Sequence, residues 1–194
     1  MKKSPGHIPA LLGYASSMER FVKPKQLHEV ARAYANVTVH ALEQGKIGLA
    51  EATFRRSLKV LNSIEGERID TLNFLSTFCF NADLATEIYY ELGEEYKKSN
   101  ATLTEALNAF KISSIRANES QSGFYAKALF QIAKLTFDQQ HKPRKAMELL
   151  ESVSDQDFGE LQVDALVLSG QIKEVRFLYP MFHKCMFKYI FHEN

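Results

Sequence analysis

Tyr89-Tyr90-Glu91-Leu92-Gly93-Glu94-Glu95-Tyr96, followed after a polar break by Ala106-Leu107-Asn108-Ala109-Phe110-Lys111-Ile112-Ser113, is the stretch that decides the fold. Tyr89, Leu92, Gly93 and Tyr96 recur at the three- and four-residue spacing that lines one face of a helix. Ala106, Phe110 and Ser113 do the same in a second segment. The order of sizes matters more than the period. A small Ala106 marks where two helices cross closely, and Phe110 four residues later fills the gap beside it. Between them Ser99-Asn100-Ala101-Thr102 supplies a short turn.

The same arrangement is written twice more. Upstream, Tyr34, Val37, Thr38 and Ala41 form the first row, Gln44-Gly45-Lys46 the turn, and Ala50, Phe54 and Ser57 the second row. Gly45 suits a tight turn because positive φ costs it nothing. Downstream, Phe130, Ala133, Lys134 and Phe137 are read as the first row, and Ala146, Leu150 and Val153 as the second, with His141, Lys142 and Pro143 in the turn. Two partial units flank these. Leu11, Tyr14, Ala15 and Met18 resemble a first helix whose successor is disturbed around Pro24, and Ala165 to Gly170 resembles the close of a first helix and its turn.

On these residues the chain resembles the tetratricopeptide repeat family, whose unit is a helix pair of about 34 residues. The resemblance covers roughly residues 30–64 and 86–174, with an irregular insert near 65–85. Phe54 and Phe110 are 56 residues apart, Phe110 and Leu150 only 40, so the array is irregular and an extra helix is expected around Ile69 to Phe80. The expected fold is all-α, an α-solenoid of antiparallel helix pairs in a right-handed superhelix, over residues 1–174. A plain helical bundle would share the periodicity; the small Ala50, Ala106 and Ala146, each just after a turn, favour the repeat.

Composition agrees with a folded chain. Of 194 residues, 45% are hydrophobic and 24% charged, and the net charge of +1 lacks the basic surplus of a nucleic-acid binder. Two cysteines, Cys79 and Cys185, make neither a disulfide framework nor a Cys-x-x-Cys zinc pair, which favours a reducing compartment. Met1-Lys2-Lys3 runs at once into Pro5, Gly6 and His7, without the apolar core of a secretory signal, and no stretch of ~20 apolar residues marks a membrane span. A cytoplasmic location is therefore expected.

Neither catalytic nor cofactor chemistry is legible. None of the six histidines forms a zinc helix, and His183 and Cys185 are two apart, so a helix points them to different faces. No glycine-rich phosphate loop occurs. The run Glu91, Glu94, Glu95, Lys97, Lys98 reads as a solvated face with opposite charges near one another. Asn-x-Ser/Thr triplets at Asn36, Asn100 and Asn118 matter only in a lumenal or secreted protein; Asn36 lies on a predicted helix and the others in predicted loops.

The resemblance implies a non-catalytic scaffold or adaptor with no cofactor or metal. It would bind a partner protein, as a peptide or helix, along first helices that line a concave surface. Its groove positions map to Arg32, Ala35, Asn36, Val39, Leu42 and Glu43, then to Glu87, Tyr90, Glu91, Glu94, Lys97 and Lys98, then to Gln131, Ile132, Leu135, Asp138 and Gln139. Some chaperone adaptors of the family clamp a C-terminal carboxylate with Lys and Asn. Ala35 and Val39 stand where the first clamp unit needs them, which argues against that mode. The alternative is an accessory or regulatory domain of a larger enzyme, a lumenal one included.

Residues 175–194 read differently. Six aromatics fall in these twenty residues against sixteen in the preceding 174, and no Ala, Gly, Ser, Thr, Asp or Gln occurs. Either this is a capping helix or it is translated non-coding sequence ending a truncated form of a longer protein. Pro180 is expected to interrupt any helix begun at Val175.

Overall fold

The expected insert is a helix. In a computed structural model, Arg68–Phe78 forms α4, seated between two helix pairs whose positions the sequence repeats. The structure describes residues 7–21, 23, 26–63, 68–79, 81–154 and 160–191, of which 154 and 176–191 are described by backbone alone. The remaining helices are α1 Ile8–Phe21, α2 Leu27–Glu43, α3 Ile47–Leu61, α5 Ala82–Lys97, α6 Leu103–Ser120, α7 Phe124–Asp138, α8 Pro143–Ser154 and α9 Glu160–Phe191. Among the described residues there is no strand, and no helix is long and apolar enough to cross a membrane. The fold is all-helical and repeat-like. It divides into two compact units, residues 1–122 and 123–194.

In the first unit α2 packs on α3 and α5 on α6. Each pair closes through the rows read from the sequence. Ala50, Phe54 and Ser57 are buried in α3, and Ala106, Phe110 and Ser113 in α6. Ser57 Oγ donates to the Ala31 carbonyl at 2.8 Å, and Ser113 Oγ donates to the Thr86 carbonyl at 2.9 Å. Ala31 stands three residues before Tyr34, and Thr86 three before Tyr89, so the same clasp recurs at matched positions. Further along, the Thr38 and Thr53 hydroxyls meet at 2.9 Å. The matched site in the other pair is Gly93, where a Cβ would stand 2.7 Å from the Phe110 ring. Helix–helix contacts therefore advance along the second helix as they retreat along the first.

The turns follow local chemistry. Gly45 takes φ 69°, and Lys46 N–H bonds the Ala41 carbonyl at 2.8 Å, closing α2. The longer turn after α5 is tied by Thr102 Oγ1, which donates to the Tyr96 carbonyl at 2.6 Å. Asn81 caps α5 by accepting from Leu84 N–H at 2.9 Å. Helix α4 packs on both α2 and α5, burying Thr71, Leu72 and Leu75. Its Arg68 pairs with Glu91 and, at 3.0 Å, with Glu95 of α5. Helix α1 packs on α2, which begins at Leu27; Pro24 lies outside the described residues. Its buried residues are Ile8 and Ala15, whereas Tyr14 faces solvent.

In the second unit α7 packs on α8, and α9 on both. Here the first row sits one residue earlier than expected. Leu129, Ile132, Ala133 and Thr136 are buried, Phe130 and Phe137 half-buried, and Lys134 exposed. The turn explains the slip: it carries one more residue than the first, His141 at φ 50°, and Lys142 N–H reaches back to the Thr136 carbonyl. Ala146, Leu150 and Val153 are fully buried as expected.

Three other expectations are corrected. Asn118 lies in the last turn of α6, not in a loop. No turn forms at Ser169-Gly170, and α9 continues through Pro180 to Phe191. Proline in a helix interior removes a donor and crowds the carbonyl four residues back, yet the backbone is helical on both sides of it. The side chains of 176–191, including the aromatics from Phe177 to Phe191, His183 and Cys185, lie outside the described residues.

Candidate interaction surfaces

The polar face of α2 is the most exposed of the expected groove segments. Arg32, Asn36 and Glu43 are open to solvent, while Ala35 is buried and Leu42 half-buried. Val39 is only 7% exposed and belongs to the core, because it turns toward the buried side of α2. Arg32 also lines a cleft of about 300 Å³ with His28 of α2 and Asp70 and Thr71 of α4. The inserted helix therefore forms one wall beside this face.

On α5, Glu87, Tyr90, Glu91, Glu94 and Lys97 are all half-buried, and they are engaged within the chain. The Tyr90 ring lies edge-on to Phe110 at 5.5 Å. Lys97 pairs with Glu94 at 2.7 Å and stands 5.9 Å over the Phe110 ring. Lys98 pairs with Glu95 at 2.7 Å. These neighbours at three-residue spacing are the solvated opposite charges read from the sequence. Glu91 is held by Arg68, a contact 23 residues away that periodicity does not reveal.

On α7, Asp138 and Gln139 are exposed and Gln131 half-buried, whereas Ile132 is buried and Leu135, at 6% exposure, is a core residue. Val39 and Leu135 thus correct the expected lining for one reason. Both stand at the edge of the buried arc, where helix packing claims an apolar side chain before a partner can.

A second surface was not legible beforehand. Leu12, Glu19, Tyr34, Leu49, Thr53 and Arg56 help line an open cleft of about 670 Å³ among α1, α2 and α3. Tyr34 Oη donates to Glu19 at 2.7 Å, and Arg56 grips the same carboxylate through Nε at 2.9 Å and Nη2 at 2.6 Å. Burial pushes the Glu19 carboxyl up, but the hydrogen bonds from Arg56 and Tyr34, with the Arg56 and Lys59 charges, outweigh it and hold it below its ordinary range. The same bonds raise Arg56. Glu19 and Arg56 are 37 residues apart, and no motif links them. Cys79 is buried and its thiol pushed up to about 11, mainly by desolvation, so it is not a reactive thiolate near neutral pH. Among the described residues no group of three His, Cys, Asp or Glu side chains could hold a metal ion.

His40 bonds Glu43 at 2.9 Å on the surface of α2, a structural pairing one helical turn apart. In comparisons with known proteins, no family model, no curated protein and no solved structure matches the chain.

Proposed function

We propose that the chain is a non-catalytic protein-interaction scaffold, an array of antiparallel helix pairs of the tetratricopeptide kind that binds a peptide or helix of a partner protein. The observation that carries this reading is the repeated clasp. Ser57 to Ala31 and Ser113 to Thr86 join the same two positions of successive pairs, at the same burial and nearly the same length. A generic bundle has no reason to repeat such a bond in register. Stacked pairs of this kind leave first-helix faces available for recognition by shape and charge.

Partner contact is assigned to Arg32, Asn36 and Glu43 of α2, the exposed polar residues among the groove positions of that helix. Tyr90, Glu91, Glu94 and Lys97 of α5, with Gln131 and Asp138 of α7, are secondary candidates. The mixed charges suit an amphipathic helix or an extended basic segment, without a cofactor.

The test is affinity capture with the whole chain, comparing wild type with Arg32→Glu/Asn36→Arg. Both positions are exposed, so circular dichroism should be unchanged. Loss of a reproducible set of captured proteins supports the reading. Capture that is identical for both proteins removes α2 from the interface.

A further inference from the structure

Helix α9 has two apolar faces. Ala165, Leu168 and Ile172 are buried, in a helix that packs on α7 and α8. On the other side Val163, Leu166 and Val167 are 59%, 58% and 56% exposed, and Gly170 continues the row with open space around it. Scattered exposed apolar residues are ordinary, but a row at helical spacing marks an interaction face.

The position of this row identifies what fits it. Val163, Leu166, Val167 and Gly170 fall 34 residues after Leu129, Ile132, Ala133 and Thr136, the buried first row of α7. The same spacing is Tyr34, Val37, Thr38, Ala41 in α2 and Tyr89, Leu92, Gly93, Tyr96 in α5. In those two helices the row meets the pair's own second helix, at Thr38 with Thr53 and at Gly93 with Phe110. Helix α9 presents the same row but runs on to Phe191 without turning back on it.

We propose that the outer row of α9 docks, in trans, a helix of second-helix character from another protein. Three examples within the chain define its pattern: a small residue, a large apolar residue four later, and a small or β-branched residue three after that. They are Ala50-Phe54-Ser57, Ala106-Phe110-Ser113 and Ala146-Leu150-Val153. Charge sets its direction. Exposed Glu160 and Asp164 flank the start of the row, so an antiparallel helix meets them with its C-terminal half, which must be basic. Helices α3 and α6 are charged in this sense: Glu51 precedes Arg55, Arg56 and Lys59, and Glu105 precedes Lys111 and Arg116, with Glu119 after them. Helix α8 has the reverse order, Arg144 and Lys145 before Glu148 and Glu151, so α3 and α6 set the charge pattern of the occupant. The helix dipole favours the same order.

The inference rests on the helix-pair reading and adds a site on a different helix from α2. The probe is a fluorescein-labelled peptide of residues 103–120, titrated with the whole chain and followed by anisotropy. Saturable binding is expected, weakened at least tenfold by Leu166→Lys or Val167→Lys in the chain. In the peptide, Phe110→Ala should weaken binding likewise, and Lys111→Glu/Arg116→Glu should weaken it in low salt only. Both chain positions are exposed, so a circular-dichroism melt should match wild type. No binding by the wild-type chain, or equal binding by the Leu166→Lys chain, overturns the proposal. So does self-association in sedimentation equilibrium that Leu166→Lys abolishes while the peptide fails to bind; the occupant would then be a second copy. Failure of capture through α2 with peptide binding intact would reject the α2 groove and leave this site standing.

Discussion

The α5/α6 pair and the α7/α8 pair carry matched positions at the same spacing, ten residues from Tyr96 to Ala106 and from Thr136 to Ala146, yet different chemistry fills them. In the first, Ser113 bonds a backbone carbonyl and Phe110 presses against the bare backbone at Gly93. In the second, Val153 replaces the serine, Leu150 the phenylalanine, and Ala133 the glycine, all buried. The pairs conform to a common distribution of volume. The polar bond is an addition that one pair uses and the other does without. Close packing explains the order of importance: a misplaced methylene is felt everywhere in a core, whereas a hydrogen bond exchanged with water is worth little net.

The largest effects should follow truncation of the large residue in each pair. Phe110→Ala should destabilise the first unit by about 3–5 kcal/mol and Leu150→Ala the second by about 2–5 kcal/mol, read from urea denaturation. The two lie in separate compact units, so the double variant should show additive losses. A loss below about 1 kcal/mol at either site would show that the shared position is not core there. Overpacking should come next. Ala106→Leu should lower stability by about 1–3 kcal/mol. An unchanged melting temperature would mean that the crossing is elsewhere. Gly93→Ala should also destabilise, although alanine is the better helix former by ~1 kcal/mol, because its Cβ meets the Phe110 ring.

Exchanging the clasp sharpens the comparison directly. Ser113→Val installs what α8 carries and should cost about 0.5–1.5 kcal/mol. If it stabilises instead, volume alone governs both pairs. The smallest effect concerns the α1 contact. The folded-state carboxyl of Glu19 is depressed, so its contribution is complete above the ordinary carboxylate range and is lost as pH falls through the depressed value. Glu19→Gln should therefore make the melting temperature less sensitive to acid as pH falls through and below the ordinary carboxylate range. An identical acid limb in both proteins would show that the bridge is screened to nothing.

What was legible follows from the range of the interactions. The rows of α2, α3, α5, α6 and α8 could be read because helical period and residue size are local properties. So could the inserted helix, from an interval too long for one pair. The first row of α7 was misplaced by one residue because Phe130 and Phe137 mimic the motif at the wrong phase. The deciding feature was a non-glycine residue, His141, at positive φ. Val39 and Leu135 were assigned to a surface that packing claims, since periodicity gives a direction around a helix but not the edge of the buried arc. Arg68 with Glu91, and Glu19 with Arg56, are contacts between distant residues that carry no motif. The two-faced character of α9 lies in the sequence as a 34-residue echo of α7, obscured because the turn that should follow never forms.

The short span of the clasps bears on how the chain is made. Ser57 and Ala31 are 26 residues apart, Ser113 and Thr86 27. At ~5–20 residues per second a ribosome takes about 1–5 s to add that much chain. Helical proteins built from local contacts fold in microseconds to milliseconds. Each clasp can thus close before the next is synthesised, and nothing in α2 and α3 waits for residues beyond the pair to satisfy its buried serine. A nascent chain stopped between pairs can therefore already hold its serine clasps, while the face of α2 that α4 covers still awaits that helix.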